Sequence, residues 1–180
     1  MKYFKQNWRK ISIISLAVFI VATLGVLITL GFQRISFFAV NGESMMPTLK
    51  DKQGIILKQE HNIAVGQIVI FSKPSGWNKY EDQEYNLVKR VIGIPGQVVE
   101  FDGEKLTING KEEYNVVKED YECSKGPKVS HTLTGQEIFV MGDNHKNSLD
   151  SLRILCDGDA KNMVVPYHNV IDYGNIIGKF

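Results

Sequence analysis

A chain of 180 residues with 43% hydrophobic content has room for one ordinary domain and a short appendage. Its 21 basic and 20 acidic residues leave a formal charge of +1, which excludes the polyanion-binding signature of a nucleic-acid protein. The four histidines, His61, His131, His145 and His168, are scattered without the paired spacing of a zinc hydrolase, so no metal is expected.

Charge placement says more than charge balance. Lys2, Lys5, Arg9 and Lys10 precede a run from Ile11 to Gln33 with no charged residue, and Arg34 closes it. At about 1.5 Å per helical residue such a run crosses a hydrocarbon core of roughly 30 Å, so it reads as a transmembrane helix. A cleavable signal would have a shorter apolar region of about 7 to 15 residues and a small-residue cleavage site, which Ala39-Val40-Asn41 fits poorly. The cations before the run place the N-terminus in the cytoplasm. The expected organisation is a basic cytoplasmic segment 1–10, an anchor 11–33, and an extracytoplasmic domain 34–180.

Phe37-Phe38 follow, and then Asn41-Gly42-Glu43-Ser44-Met45-Met46-Pro47-Thr48-Leu49, where glycine and proline disfavour regular structure and expose Ser44 on a turn. Phe38, Met45 and Met46 fit two roles, as core packing or as apolar groups that meet substrate or the lipid interface. Beyond them, short β-branched runs separated by turn signals predict strands at 54–57, 66–71, 87–94, 97–101, 106–108 and 137–141. Asp102-Gly103 and Asn109-Gly110 are tight-turn dipeptides, so 98–111 is expected to fold as consecutive antiparallel strands. Segments 73–86 and 111–135 read as polar loops, and no amphipathic helix is expected in this half. The fold class is therefore mainly β, an antiparallel domain behind one transmembrane helix. Cys123 and Cys156 could form a disulfide outside the cell, but their spacing carries no functional signal.

A serine hydroxyl is a weak nucleophile until a base takes its proton, so Ser44 needs a partner. One arrangement would use His145 with Asp143 or Asp150. Another uses Lys89 in Leu87-Val88-Lys89-Arg90-Val91-Ile92. Strand alternation puts Lys89 on one face with Leu87 and Val91, and Arg90 on the other with Val88 and Ile92, so a cation must lie among apolar neighbours. Desolvation lowers a lysine pKa and leaves a neutral amine able to accept a proton. The alternative is that both cations reach solvent at the strand edge. A third segment, Met141-Gly142-Asp143-Asn144-His145-Lys146-Asn147-Ser148-Leu149-Asp150-Ser151, is dense in groups that could orient such a base.

Together these segments resemble the bacterial type I signal peptidases, membrane-bound serine peptidases with a Ser-Lys dyad. The resemblance runs through the anchor, Gly42–Leu49, Gly66–Phe71, Leu87–Gly93, Gly142-Asp143-Asn144 and Asn147–Ser151, nearly the whole chain. It implies that Ser44 is the nucleophile, Lys89 the general base, Ser148 a hydrogen-bond partner of the lysine amine, and Asp150 a brace, with the Ser44 backbone N–H in an oxyanion hole. In some relatives a serine two residues before the nucleophile is a further donor; here that position is Gly42, and the second donor is open. Where the family usually has Asp-Ser-Arg this chain has Asp150-Ser151-Leu152-Arg153, and 154–165 also departs from the expected continuation. The implied partners are secretory precursors with signal peptides, the lipid bilayer and the secretion translocon, with no cofactor and no nucleic acid. The implied location is the cytoplasmic membrane, single-pass. The rival role is a non-catalytic or narrowly dedicated assembly factor for surface proteins such as pilins.

Overall fold

In a computed structural model, residues 14–25, 35–60, 62–77, 85–115, 123 and 127–180 are described. The chain divides into two units, Met1–Arg34 and Ile35–Phe180. In the first, residues 14–25 form a helix, α1, whose apolar side chains such as Val18, Phe19 and Val21 are largely exposed. Among the described residues no helix is long and apolar enough to cross a membrane. The basic segment 1–10 and parts 11–13 and 26–33 of the expected anchor lie outside them.

Among the described residues the second unit holds two antiparallel sheets. The larger has seven strands: β1 (Ile35–Ala39), β2 (Gly54–Gln59), β3 (Ile68–Ser72), β4 (Asn86–Gly93), β9 (Glu137–Met141), β10 (Val165–Pro166) and β11 (Val170–Lys179). Their spatial order is β1-β2-β11-β3-β4-β9-β10. The smaller has β5 (Val98–Phe101), β6 (Lys105–Ile108), β7 (Lys111–Asn115) and β8 (Val129–Thr132), ordered β7-β6-β5-β8. The hairpin turn between β6 and β7 holds Asn109 at φ 52° and Gly110 at φ 72°, the left-handed pair that an Asn-Gly dipeptide supplies at least cost.

All six predicted strands form. Three further features depart from the sequence reading. The segment 111–135, expected as loop, contributes β7 and β8, and in β8 partly buried residues alternate with exposed ones, as on a strand with one solvated face. A short helix, α2 (Ser151–Cys156), forms where none was expected, with Asp150 as its N-cap accepting from the Arg153 backbone N–H. Finally β11 runs through Gly174, Asn175 and Gly178, poor strand formers, because it lies between β2 and β3 and hydrogen-bonds to both.

One large core joins both sheets and α2: Val69, Phe71, Val91 and Phe139 from the larger sheet, Val99, Phe101 and Leu106 from the smaller, and Leu152, Ile154 and Leu155 from α2. A second, smaller cluster of Val40, Met45, Leu49, Ile55, Leu57 and Ile68 lies under the β1–β2 connection. That connection carries Ser44. Cys123 and Cys156 are joined by a disulfide, Cα to Cα 4.9 Å.

Candidate active site

Lys89 reaches its position by strand alternation. It pairs across from Val69 in β3 and is 1% exposed, while Arg90, on the opposite face, turns away to an ion pair. Of the two adjacent cations, the lysine is thus the buried one. Burial lowers its pKa from 10.5 to about 8, against the opposing fields of the Asp150 and Asp143 carboxylates. Its Nζ lies 2.7 Å from Ser44 Oγ and donates also to the Val88 carbonyl at 3.1 Å. A protonated amine donates to the serine oxygen; once neutral, the same nitrogen can accept the serine proton across that distance. Among the described residues it is the lysine amine, rather than the His145 of the alternative arrangement, that is seen at hydrogen-bond distance from Ser44 Oγ.

The turn that carries Ser44 is pinned at several points. Met45 and Leu49 are fully buried in the smaller core cluster, and Leu49 N–H donates to the Met45 carbonyl. Lys179 Nζ, near the end of β11, donates to the Thr48 carbonyl at 2.6 Å. Asn144 N–H donates to the Ser44 carbonyl at 3.0 Å, and its side-chain amide donates to the Glu43 carbonyl at 3.1 Å. Arg90 holds Asp143 through two hydrogen bonds of 2.9 and 2.6 Å and also donates to the Gly66 carbonyl. Burial would raise the Asp143 pKa, but hydrogen bonds from Arg90 and the Thr48 hydroxyl keep it below the ordinary carboxylate value. Asp143 therefore links β4, through Arg90, to the turn that carries Ser44, through Thr48.

Asp150 is fully buried and accepts from two backbone groups, Gly142 N–H and Arg153 N–H, each at 3.0 Å. The segment that begins at Ser151 is helical, and the Arg153 backbone N–H reaches the Asp150 carboxylate as a cap. Gly142 is packed so tightly that an added Cβ would run into Ser148 Oγ and lie 2.5 Å from the Ser44 carbonyl oxygen. Ser148, Gly142 and the Ser44 backbone are thus neighbours.

This geometry corrects one expectation and decides two open points. Ser148 does not hydrogen-bond the lysine amine: its Oγ is buried with no hydrogen-bond partner among the described residues, because Lys89 Nζ is turned to Ser44 and the Val88 carbonyl. Met45 is core rather than a free surface group, and Phe38 is partly buried against the same cluster. The outward groups of those pairs are Met46, 37% exposed on the turn, and Phe37, 67% exposed, the latter as alternation along β1 requires. Gly42 is no donor to an oxyanion, since its N–H is taken by Asp51 at 2.7 Å; its φ of 95° suits glycine alone.

The tethers Asn144, Thr48 and Lys179 were not singled out from sequence. The Gly-Asp-Asn run marked the first as a polar turn, but nothing local says that its partner is the backbone of Ser44, a hundred residues away.

The family profile described as "Signal peptidase, peptidase S26" matches residues 12–179. A signal peptidase I of Bacillus amyloliquefaciens is 36% identical over 130 residues, 63% of this chain and 63% of that protein. Signal peptidase I U of Bacillus subtilis is 37% identical over 160 residues, 79% of this chain and 78% of its own length. A crystal structure of a signal peptidase I from Enterococcus faecalis superposes only loosely, with TM-score 0.41 and 23% identity over 63% of this chain and 97% of that one, and adds nothing to the assignment.

Proposed function

The chain belongs to the signal peptidase family, peptidase S26, and from that premise we propose that it is a membrane-bound serine endopeptidase that removes N-terminal signal peptides from exported precursors. The observation that carries this reading is the 2.7 Å contact between Ser44 Oγ and a buried Lys89 Nζ whose pKa is lowered to about 8. At such a pKa a useful fraction of the amine is neutral near physiological pH, as a general base needs.

In the first step Lys89 Nζ takes the hydroxyl proton while Ser44 Oγ attacks the scissile carbonyl carbon. Negative charge moves to the carbonyl oxygen, to which the Ser44 backbone N–H would donate, as the family resemblance implies. Collapse breaks the peptide C–N bond, and the proton on Lys89 passes to the leaving amine. Lys89, neutral again, takes a proton from water, whose oxygen attacks the acyl ester; collapse releases the new carboxyl terminus and returns the proton to Ser44 Oγ. Asp150 and Asp143 limit how far the lysine pKa falls, and Asp143, Arg90, Asn144 and Lys179 hold the turn in place.

Strand β4 supports an extended substrate. Its pairing with β9 ends at Arg90–Met141, whereas its pairing with β3 continues to Asn86, so one edge of 86–88 has no strand partner among the described residues. A peptide laid along that edge would pass beside Ser44 and Lys89. The precursor sites expected are those with small residues at the first and third positions before the cut.

The uncharged run 11–33 behind four cations supports a single-pass anchor with the N-terminus in the cytoplasm and residues 34–180 outside. The Cys123–Cys156 bridge suits that oxidising side. The bilayer and the secretion translocon then follow as partners, since precursors emerge there.

The test is to incubate full-length wild type and Ser44→Ala in detergent with a precursor carrying an Ala-x-Ala site, and to identify products by mass spectrometry. Cleavage after the second alanine by wild type alone supports the proposal. A precursor that is bound but left intact by wild type points instead to a non-catalytic assembly factor.

A further inference from the structure

The segment that follows the catalytic motif contains a device that the dyad does not explain. Asp150 ends the motif and starts α2, a helix of six residues, too short to be held by its own hydrogen bonds. At its near end, Asp150 caps the first turn through Arg153 N–H and reaches across to Gly142 N–H. The Ser151 hydroxyl oxygen accepts from Val140 N–H, which fastens the helix start to β9. At its far end, Cys156 is the last helical residue and is covalently joined to Cys123, 33 positions earlier in the chain. Leu152 stands where an arginine was expected and is completely buried, so packing and backbone donors, rather than a guanidinium at that position, surround the Asp150 carboxylate.

We propose that the Cys123–Cys156 bridge is a positioning element of the Ser44–Lys89 centre, fixing the far end of α2 so that the Asp150 carboxylate at the near end is held beside Lys89. The proposal rests on the reading of Ser44 and Lys89 as the catalytic pair. The path from bridge to dyad is short and continuous. Cys156 ends the helix that Asp150 begins; Asp150 accepts from Gly142 N–H; Gly142 packs against the Ser44 carbonyl and Ser148. Asp150 also acts on Lys89 directly, because its negative charge favours the protonated amine. Loosening the far end of so short a helix lets the carboxylate at its start drift, and both effects follow: the nucleophile turn loses a support, and the lysine loses an opposing field.

Opening the bridge needs two electrons and two protons. A dithiol such as dithiothreitol supplies them, closing to its own cyclic disulfide while Cys123 and Cys156 become thiols.

The test uses full-length protein in detergent in three forms: oxidised wild type, wild type treated with dithiothreitol, and the Cys123→Ser/Cys156→Ser double variant, each checked for a retained near-UV circular dichroism spectrum. The expected result is a loss of roughly tenfold in kcat for both bridge-free forms, with KM little changed, in the range that small displacements at a reacting centre produce. The acid limb of kcat/KM against pH should also move to lower pH, and reoxidation should restore both. A general loss of stability would reduce the amount of active enzyme without moving that limb. Folded, bridge-free enzyme with the kcat and acid limb of the oxidised form overturns the proposal. Amide hydrogen exchange at Gly142 and Arg153 gives a readout independent of turnover. Faster exchange after reduction is expected, and unchanged exchange overturns the proposal even if wild type proves not to cleave precursors, a result that would instead sink the peptidase reading.

Discussion

Replacing Lys89 with methionine should make the protein inactive and, at neutral pH, relatively more stable. The side chain is 1% exposed, and its amine titrates at about 8 rather than 10.5. The difference of 2.5 pH units corresponds to about 3 kcal/mol that the folded state gives up, below pH 8, to keep a buried cation. The sign follows from proton counts. Between pH 8 and 10.5 the unfolded chain keeps the lysine proton and the folded chain has released it, so wild-type stability rises with pH over that window relative to a variant with nothing to titrate. Methionine is close in size and apolar, so the variant removes the desolvation cost while giving up the hydrogen bonds to Ser44 and Val88. Denaturant unfolding of wild type and Lys89→Met in the same detergent, at pH 7, 9 and 10.5, measures the gap. The gap should move by about 3 kcal/mol in favour of wild type from the lowest to the highest pH, while groups common to both proteins cancel. A gap independent of pH would refute the claim that Lys89 is buried with a depressed pKa.

Two more outcomes follow from the same contacts. Gly142→Ala should lower kcat by roughly a hundredfold and destabilise the domain by a few kcal/mol, because the new methyl group meets the Ser44 carbonyl and Ser148, and neither is the end of a long flexible side chain; steady-state kinetics and thermal unfolding of the variant check both. Asp143→Asn removes a negative charge that favours protonated Lys89 and breaks the link from Arg90 to Thr48, so the acid limb of kcat/KM should shift to lower pH while kcat falls about tenfold, which a pH series of initial rates will show.

How much of this was legible beforehand depended on how local the cause was. That one cation in Leu87–Ile92 lies among apolar neighbours follows from period-2 alternation, a property of adjacent residues, although alternation leaves open that its amine reaches solvent at the strand edge; the strands rich in valine and isoleucine declare themselves the same way. Strand β11 does not, because Gly174 is held extended between β2 and β3 and Gly178 against β2, and those partners are more than a hundred residues away in sequence. Helix α2 carried a readable cap in Asp150, yet six residues between a polar loop and a second polar stretch give too little periodicity to separate helix from turn. At the site, Ser44 with Lys89 is one of two pairings the sequence offers and the one the resemblance singles out, while the supports of the turn are set by the fold. That Asn144 reaches Ser44, or that Lys179 reaches Thr48, is a consequence of sheet order. The same holds for Ser148, whose side chain is buried as a supporting residue should be but makes no bond to the lysine.

The most direct test of the central claim is the pH dependence of kcat/KM for precursor cleavage by wild type, together with the rate of Lys89→Met under the same conditions. If Lys89 is the general base, kcat/KM rises with unit slope up to a pKa of about 8 and then levels, and Lys89→Met loses at least a hundredfold. An acid limb centred in the ordinary histidine range, or a methionine variant that cleaves as fast as wild type, would contradict it.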